Sequence, residues 1–183
     1  VDLLLQALTP LLQPAAPGAA VSSAEREAVL AALNGVLGDH LAASHNPLAI
    51  TMTMRHQGRV LTLQPEALQA ALRPPSSQAT GRVLVLLHGL CMNHHQWLRE
   101  GHDHGAALAQ AAGYTPIYLH YNSGLPIPVN GAALAQQMKQ LLAAWPQPLQ
   151  RVVLLGHSMG GLVARSALHQ GAQARQPWVE QVH

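Results

Sequence analysis

The sequence predicts an α/β fold with a mostly parallel sheet and helices on both faces, and three observations carry that expectation. Arg82 to Leu87, Thr115 to Tyr121 and Arg151 to Leu155 are short apolar runs of the kind buried on both faces of a parallel sheet. Helix-patterned segments separate and follow them, and a strand, helix, strand, helix alternation implies crossover connections and a doubly wound sheet. The first run ends in His88-Gly89 and the third in Gly156-His157-Ser158, so both deliver polar residues to one sheet edge.

Composition agrees with one packed domain and little more. The 183 residues are 49% hydrophobic and 10% charged, with a mean hydropathy of +0.11, too apolar for a disordered chain. The net charge is only +2, and nine arginines and one lysine are scattered along the chain. No phosphate-neutralising stripe forms, so nucleic acid is not expected as a partner. A single cysteine, Cys91, excludes an internal disulfide and leans toward a cytoplasmic location. No apolar run reaches the ~18–20 residues of a membrane span. Because the sequence starts at Val1 rather than Met, secretion or membrane association stays open. Oligomeric state has no reading.

Each element has its own reason. Leucines from Leu3 to Leu12 suggest a short helix, and Gln13 to Ala20 is a Pro-Ala-Gly linker. Ser22 to Ala43 reads as an amphipathic helix, with Ser22 or Ser23 as cap and Val29, Leu30, Leu33, Val36, Leu37 and Leu41 as its apolar stripe. Ile50 to Met54 and Arg59 to Leu63 read as a hairpin turning through Arg55-His56-Gln57-Gly58. A short helix over Pro65 to Leu72 and a Pro/Ser-rich connector over Pro74 to Thr80 lead to the first apolar strand. Helices are expected over Gly105 to Ala112, Gly131 to Trp145 and Ser158 to Gln170, the last stopped by Gly171. The domain division that follows is an N-terminal helical accessory segment, 1–46, and an α/β domain, 47–183.

The chemistry concentrates at Gly156-His157-Ser158-Met159-Gly160-Gly161. Here a buried strand hands a serine into a turn so tight that residues two positions away on either side must lack a Cβ. Gly156 and Gly160 occupy those positions. The following helix points its first amides at charge developing on a substrate. The loop after His88-Gly89 should face this turn across the carboxyl ends of the strands. The main-chain N–H groups of Leu90 and Met159 are then the candidate oxyanion donors, with His88 a structural residue of that loop.

These two segments resemble the α/β-hydrolase fold, and the run from Gly156 to Arg165 resembles bacterial lipases and esterases. The resemblance spans roughly residues 47–183. It implies Ser158 as nucleophile, the Leu90 and Met159 amides as oxyanion donors, small-molecule or lipid ester substrates, and no cofactor. A serine at the elbow argues against the relatives that place an aspartate there.

The resemblance also implies a triad ordered Ser, Asp or Glu, then His along the chain. After Ser158 only His169, Glu180 and His183 remain. His169 lies eleven residues along the same helix, about 16 Å from the serine at 1.5 Å per residue. His183 is expected to have no sheet beside it, and Glu180 falls where another strand should begin. The expectation is therefore that the fold is incomplete at the C-terminus, with acid and base beyond His183.

Two other groups carry less. His94, His95, His102, Asp103 and His104 crowd one segment, but their spacing fits no finger or helical zinc pattern, and no metal site is expected. Trp97 is expected to anchor that segment, and Cys91 to be a small buried residue. The function expected is a serine hydrolase of carboxylic esters. Thioesterase or acyltransferase chemistry on the same scaffold, and a non-catalytic binding module, are the alternatives.

Overall fold

The computed structural model describes Leu5, residues 24–72 and residues 79–183. The Leu3 to Leu12 helix apart from Leu5, the linker, the Ser22 or Ser23 cap and most of the 74–80 connector lie outside those residues.

Among the described residues the elements run α1 (Ala24–Ala43), β1 (Thr53–His56), β2 (Arg59–Val60), α2 (Pro65–Ala71), β3 (Arg82–Leu87), a 3-10 turn (His94–Trp97), β4 (Leu98–Arg99), β5 (His102–Asp103), α3 (His104–Ala112), β6 (Thr115–His120), α4 (Ile127–Ala143), β7 (Arg151–Gly156), α5 (Met159–Gln173) and a second 3-10 turn (Pro177–Gln181). The main sheet has the order β2-β1-β6-β3-β7. β6, β3 and β7 are parallel, and the β1–β2 hairpin closes one side antiparallel to β6. The sheet is mostly parallel, as the apolar runs predict.

Alternation along β3 explains the layers. Val83, Val85 and Leu87 join Ile117 and Leu119 of β6 in the main core, filled from α4 by Leu134, Met138, Leu141 and Leu142 and from α5 by Val163, Ala164 and Ala167. Leu84 and Leu86 face the other way, into a second cluster with Trp97 and Tyr118. Gly105 of α3 packs against the Tyr118 ring on that side. Helices therefore cover both faces, and the Trp97 anchor is found where expected, 7% exposed.

Several elements differ from their sequence reading. The hairpin is displaced: Arg55 and His56 are strand residues paired with Val60 and Arg59, and the turn is only Gln57-Gly58. Both turn residues have positive φ, 49° and 76°, the pattern of a two-residue type I′ hairpin. A second hairpin, β4–β5, turns through Glu100 and Gly101 in the same way, at φ 51° and 80°. α4 starts at Ile127, four residues ahead of Gly131. Gly171 does not stop α5, which runs on to Gln173 with Gly171 buried against Trp178. Finally, His183 does have a sheet beside it: Val182 bridges Val152 in parallel, and the His183 N–H donates to the Val152 carbonyl at 3.0 Å.

α1 keeps the leucines of its predicted stripe inside, but not the valines: Leu41 is fully buried with Leu5 and Leu48, and Leu30, Leu33 and Leu37 pack against them. Val29 and Val36 are exposed, whereas Ala31, Asn34, Gly38 and Leu41 are buried. Beside that apolar cluster, the face with Asn34 and Gly38 meets polar groups and main chain. Asn34, fully buried, donates from Nδ2 to the carbonyls of Leu30 and Leu48 and accepts at Oδ1 from the Ile50 N–H. Gly38 gives its carbonyl to Asn122 Nδ2 at 2.9 Å, and Gly35 lies against Cys91, where a Cβ would stand 2.7 Å from Cα and 2.9 Å from N. α1 thus roofs the loops that leave β3 and β6.

Candidate functional site

β3 and β7 run side by side in register, with Leu87 opposite Gly156, so the loops leaving them emerge together. The His157 N–H donates to the Leu87 carbonyl at 2.9 Å and extends the ladder one residue beyond the strands. Ser158 then turns the chain at φ 51° and ψ −121°, a conformation that L-residues adopt only under strain. It caps α5, which starts at Met159.

Two glycines make the turn sterically feasible. A Cβ on Gly156 would stand 2.6 Å from the Gly160 carbonyl carbon, and one on Gly160 would stand 2.5 Å from the Leu87 oxygen and 2.8 Å from the His88 oxygen. These obstacles are backbone, which cannot swing aside. Gly89 closes the other side, its missing Cβ falling 3.4 Å from Ser158 Cβ and 3.0 Å from His157 Nδ1. The two segments that sequence reading paired do meet. Gly161, by contrast, has open space where a Cβ would go.

The loop after β3 is fixed by groups that sequence reading missed. Gln96 Oε1 accepts from the Gly89 N–H at 2.9 Å, Ser123 Oγ accepts from the Cys91 N–H at 3.0 Å, and Tyr121 donates its hydroxyl to the His88 carbonyl at 2.7 Å. Cys91 itself is only partly buried, correcting the expectation of a buried residue, and it takes a φ of 58°. Among the described residues, neither the Leu90 nor the Met159 amide has a protein acceptor.

His88 is fully buried and stacked on Tyr121 with ring centroids 4.2 Å apart. Its Nδ1–H donates to the Gly89 carbonyl, which leaves Nε2 to accept from the Tyr121 N–H at 3.4 Å. Burial holds its pKa down at about 4, against a smaller lift from the Gly89 hydrogen bond. It is a neutral strut. Burial raises the Tyr121 hydroxyl well above the usual phenol range, so that group stays a donor.

Of the later polar residues, His183 is held at the far end of β7 from the serine. Val152, where His183 is bound, stands at the start of β7, and the four-residue run to Gly156 spans roughly 13 Å at ~3.3 Å per residue. Among the described residues Ser158 Oγ has no hydrogen-bond partner. In the loop after β3 and the first turn of α5, Leu90, Met92 and Leu162 are 50%, 41% and 52% exposed.

Residues 129–182, running from the first turn of α4 through β7 and α5, match the family model of the PGAP1-like alpha/beta domain. This is an α/β-hydrolase fold. No curated protein and no solved structure matches the chain. Within the hydrolase fold a cavity of about 610 Å³ lies away from the elbow, between α3 and the β1–β2 turn, with His56, Thr80, His94, Asp103 and Tyr118 among its lining. Backbone geometry, rather than the size of a cavity, locates the candidate site at Ser158.

The histidine-rich segment divides in two. His102 and His104 pack edge to face near Trp97, and Asp103 caps α3 and accepts from the Tyr118 hydroxyl. Burial and then Asp103 push the Tyr118 pKa upward. His94 and His95 instead turn toward Glu27 of α1, which sequence reading did not connect with them. Burial, then Arg55, hold His94 and His120 down at about 3, with Glu27 opposing. No helix among the described residues is long and apolar enough to cross a membrane.

Proposed function

We propose that this domain is a serine hydrolase of carboxylic esters, of lipase or esterase type, acting through an acyl-enzyme on Ser158. The observation that carries the reading is the conformation of Ser158, strained at φ 51° between Gly156 and Gly160 and abutting Gly89, with two uncommitted amides beside it. A tight elbow of this kind stores strain that packing alone would not require.

In the proposed reaction Ser158 Oγ attacks the ester carbonyl carbon, forming the Oγ–C bond as its proton passes to a general base. The carbonyl oxygen takes up negative charge between the Leu90 and Met159 N–H groups, each worth ~2.7–4 kcal/mol as an oxyanion donor. Collapse of the tetrahedral intermediate breaks the C–O bond, and the alcohol leaves with the proton. Water then adds to the acyl carbon and releases the acid by the same steps in reverse. His88 holds the oxyanion loop and takes no proton at neutral pH. The base and its carboxylate are assigned to none of the residues described here. Leu90, Met92 and Leu162 suit an acyl chain, so apolar esters are the expected substrates.

The test is an activity-based one on the full-length natural protein. A fluorophosphonate should add once to the wild type and not at all to Ser158→Ala, and short-to-medium acyl p-nitrophenyl esters should turn over only with the serine present. Turnover retained in Ser158→Ala would refute the assignment.

A further inference from the structure

We propose that Glu27, His94 and His95 form a site for one divalent transition-metal ion, with zinc the ion that the donor set fits best. Glu27 Oε2 lies 2.9 Å from His95 Nε2 and 3.7 Å from His94 Nε2, and the three donor atoms all fall within 4.8 Å of one another. Tetrahedral zinc with bonds of ~2.0–2.1 Å holds its ligands roughly 3.3 Å apart, a separation these distances bracket. Two imidazoles and a carboxylate suit zinc far better than magnesium or calcium, which prefer oxygen throughout. Three protein donors leave a fourth position for water.

The donors are held from different parts of the chain. Glu27 stands in the first turn of α1, and His94 and His95 share a single 3-10 turn that Asn93 caps by accepting from the His95 N–H. His94 Nδ1 faces His120 Nδ1 at 3.4 Å, the outer contact by which a metal-binding imidazole is oriented. The His95 side chain is 42% exposed and Glu27 only 13%, so an ion reaches the carboxylate from solvent past His95.

Arg55 now competes for the same lone pairs. Its Nη1 lies 3.2 Å from His94 Nε2 and 3.5 Å from Glu27 Oε1, so the guanidinium must withdraw as the ion enters. Its hold is imperfect, because Arg55 Nε is buried without a hydrogen-bond partner. The site therefore exchanges one cation for another without leaving the carboxylate unpaired. A bound ion would tie α1 to the loop that carries Leu90, stiffening the roof over the elbow. The proposal stands apart from the ester-hydrolase reading.

The experiment is a calorimetric Zn²⁺ titration of the metal-stripped protein, with Co²⁺ absorption reporting coordination geometry. One ion per chain and tetrahedral cobalt bands are expected. Glu27→Gln and His95→Ala should each weaken binding at least about tenfold, a loss that even an outer partner of a metal site carries. The His102→Gln, His104→Gln double variant should bind as the wild type does. Arg55→Gln should bind tighter, a gain that misfolding cannot imitate. Circular dichroism of each variant excludes unfolding as the cause of any loss. No saturable binding, binding that survives Glu27→Gln and His95→Ala, loss confined to the His102/His104 variant, or unchanged affinity in Arg55→Gln would overturn the assignment.

Discussion

The elbow and the α1 clasp lie at the same edge of the sheet, yet they are built from different materials. At the elbow the contacts are main chain on main chain: Gly160 against the Leu87 and His88 carbonyls, Gly156 against Gly160 and Gly161, and His157 N–H on Leu87. In the clasp they run between buried polar side chains and the chain around them: Asn34 on Leu48 and Ile50, Asn122 on Gly38, and Glu27 beside Arg55, His94 and His95. Backbone contacts answer to volume and are indifferent to pH. Polar clasps answer in addition to charge and hydrogen-bond satisfaction.

The largest effect should come from adding one carbon at the elbow. Gly160→Ala sets a Cβ 2.5 Å from the Leu87 oxygen, and the strand that carries this oxygen is buried on both faces. A loss of about 3 kcal/mol or more is expected, read as a collapse of the urea midpoint or as failure to fold. Gly161→Ala, with open space at its Cβ, should change the midpoint little and serves as the control.

Acid should come next, acting on buried rings of both regions, His94 and His120 by the clasp and His88 beside the elbow. His88, His94 and His120 have pKa values held down at about 4, 3 and 3, against an ordinary 6.5 when unfolded. Between those limits the folded protein binds fewer protons than the unfolded chain, so stability rises with pH and is lost as pH falls. The melting temperature should therefore drop steadily from pH 6.5 toward pH 4. A melting temperature constant across that window would contradict the burial of these rings as neutral groups.

Asn34→Leu tests the clasp alone. It keeps the volume but leaves the Ile50 N–H and the Leu48 carbonyl without their buried partner, a cost of about 2–3 kcal/mol. Hydrogen exchange should quicken at Ile50 and along α1 while β3 and β7 stay protected. The smallest effect has the opposite sign. Ser158→Gly removes the side chain that makes φ 51° costly, and should raise stability by about 1 kcal/mol while abolishing any reactivity of that position.

The division between the two regions also explains what could be read from residues alone. β3 and β6 were legible because strands buried on both faces must be continuous apolar runs, and β7 because it is equally apolar, although it is the edge strand and only Val152 in it is fully buried. The elbow was legible because its glycines and serine sit within six consecutive residues. The clasp was not legible. Arg55 meets Glu27 across 28 residues and His94 across 39, and nothing local in any of the three announces the others. The histidines drew attention as a run from His94 to His104, whereas folding separates the first pair from the second. The leucines of α1 were legible as an apolar stripe, whereas Val29 and Val36 were misread, because the face docked on loops buries Asn34 and Gly38. The hairpin slipped because Gln57-Gly58 suffices for a turn, so Arg55 and His56 remained in the strand. His183 was misjudged because a single parallel bridge to Val152 leaves no periodic signal.

The central claim is that Ser158 is an activated nucleophile, and intact mass spectrometry tests it directly. The full-length natural protein, treated with a fluorophosphonate, should gain one adduct that maps to Ser158 and is missing from Ser158→Ala. An unmodified wild-type protein under conditions that label a control serine esterase, or an adduct that persists in the alanine variant, would contradict it.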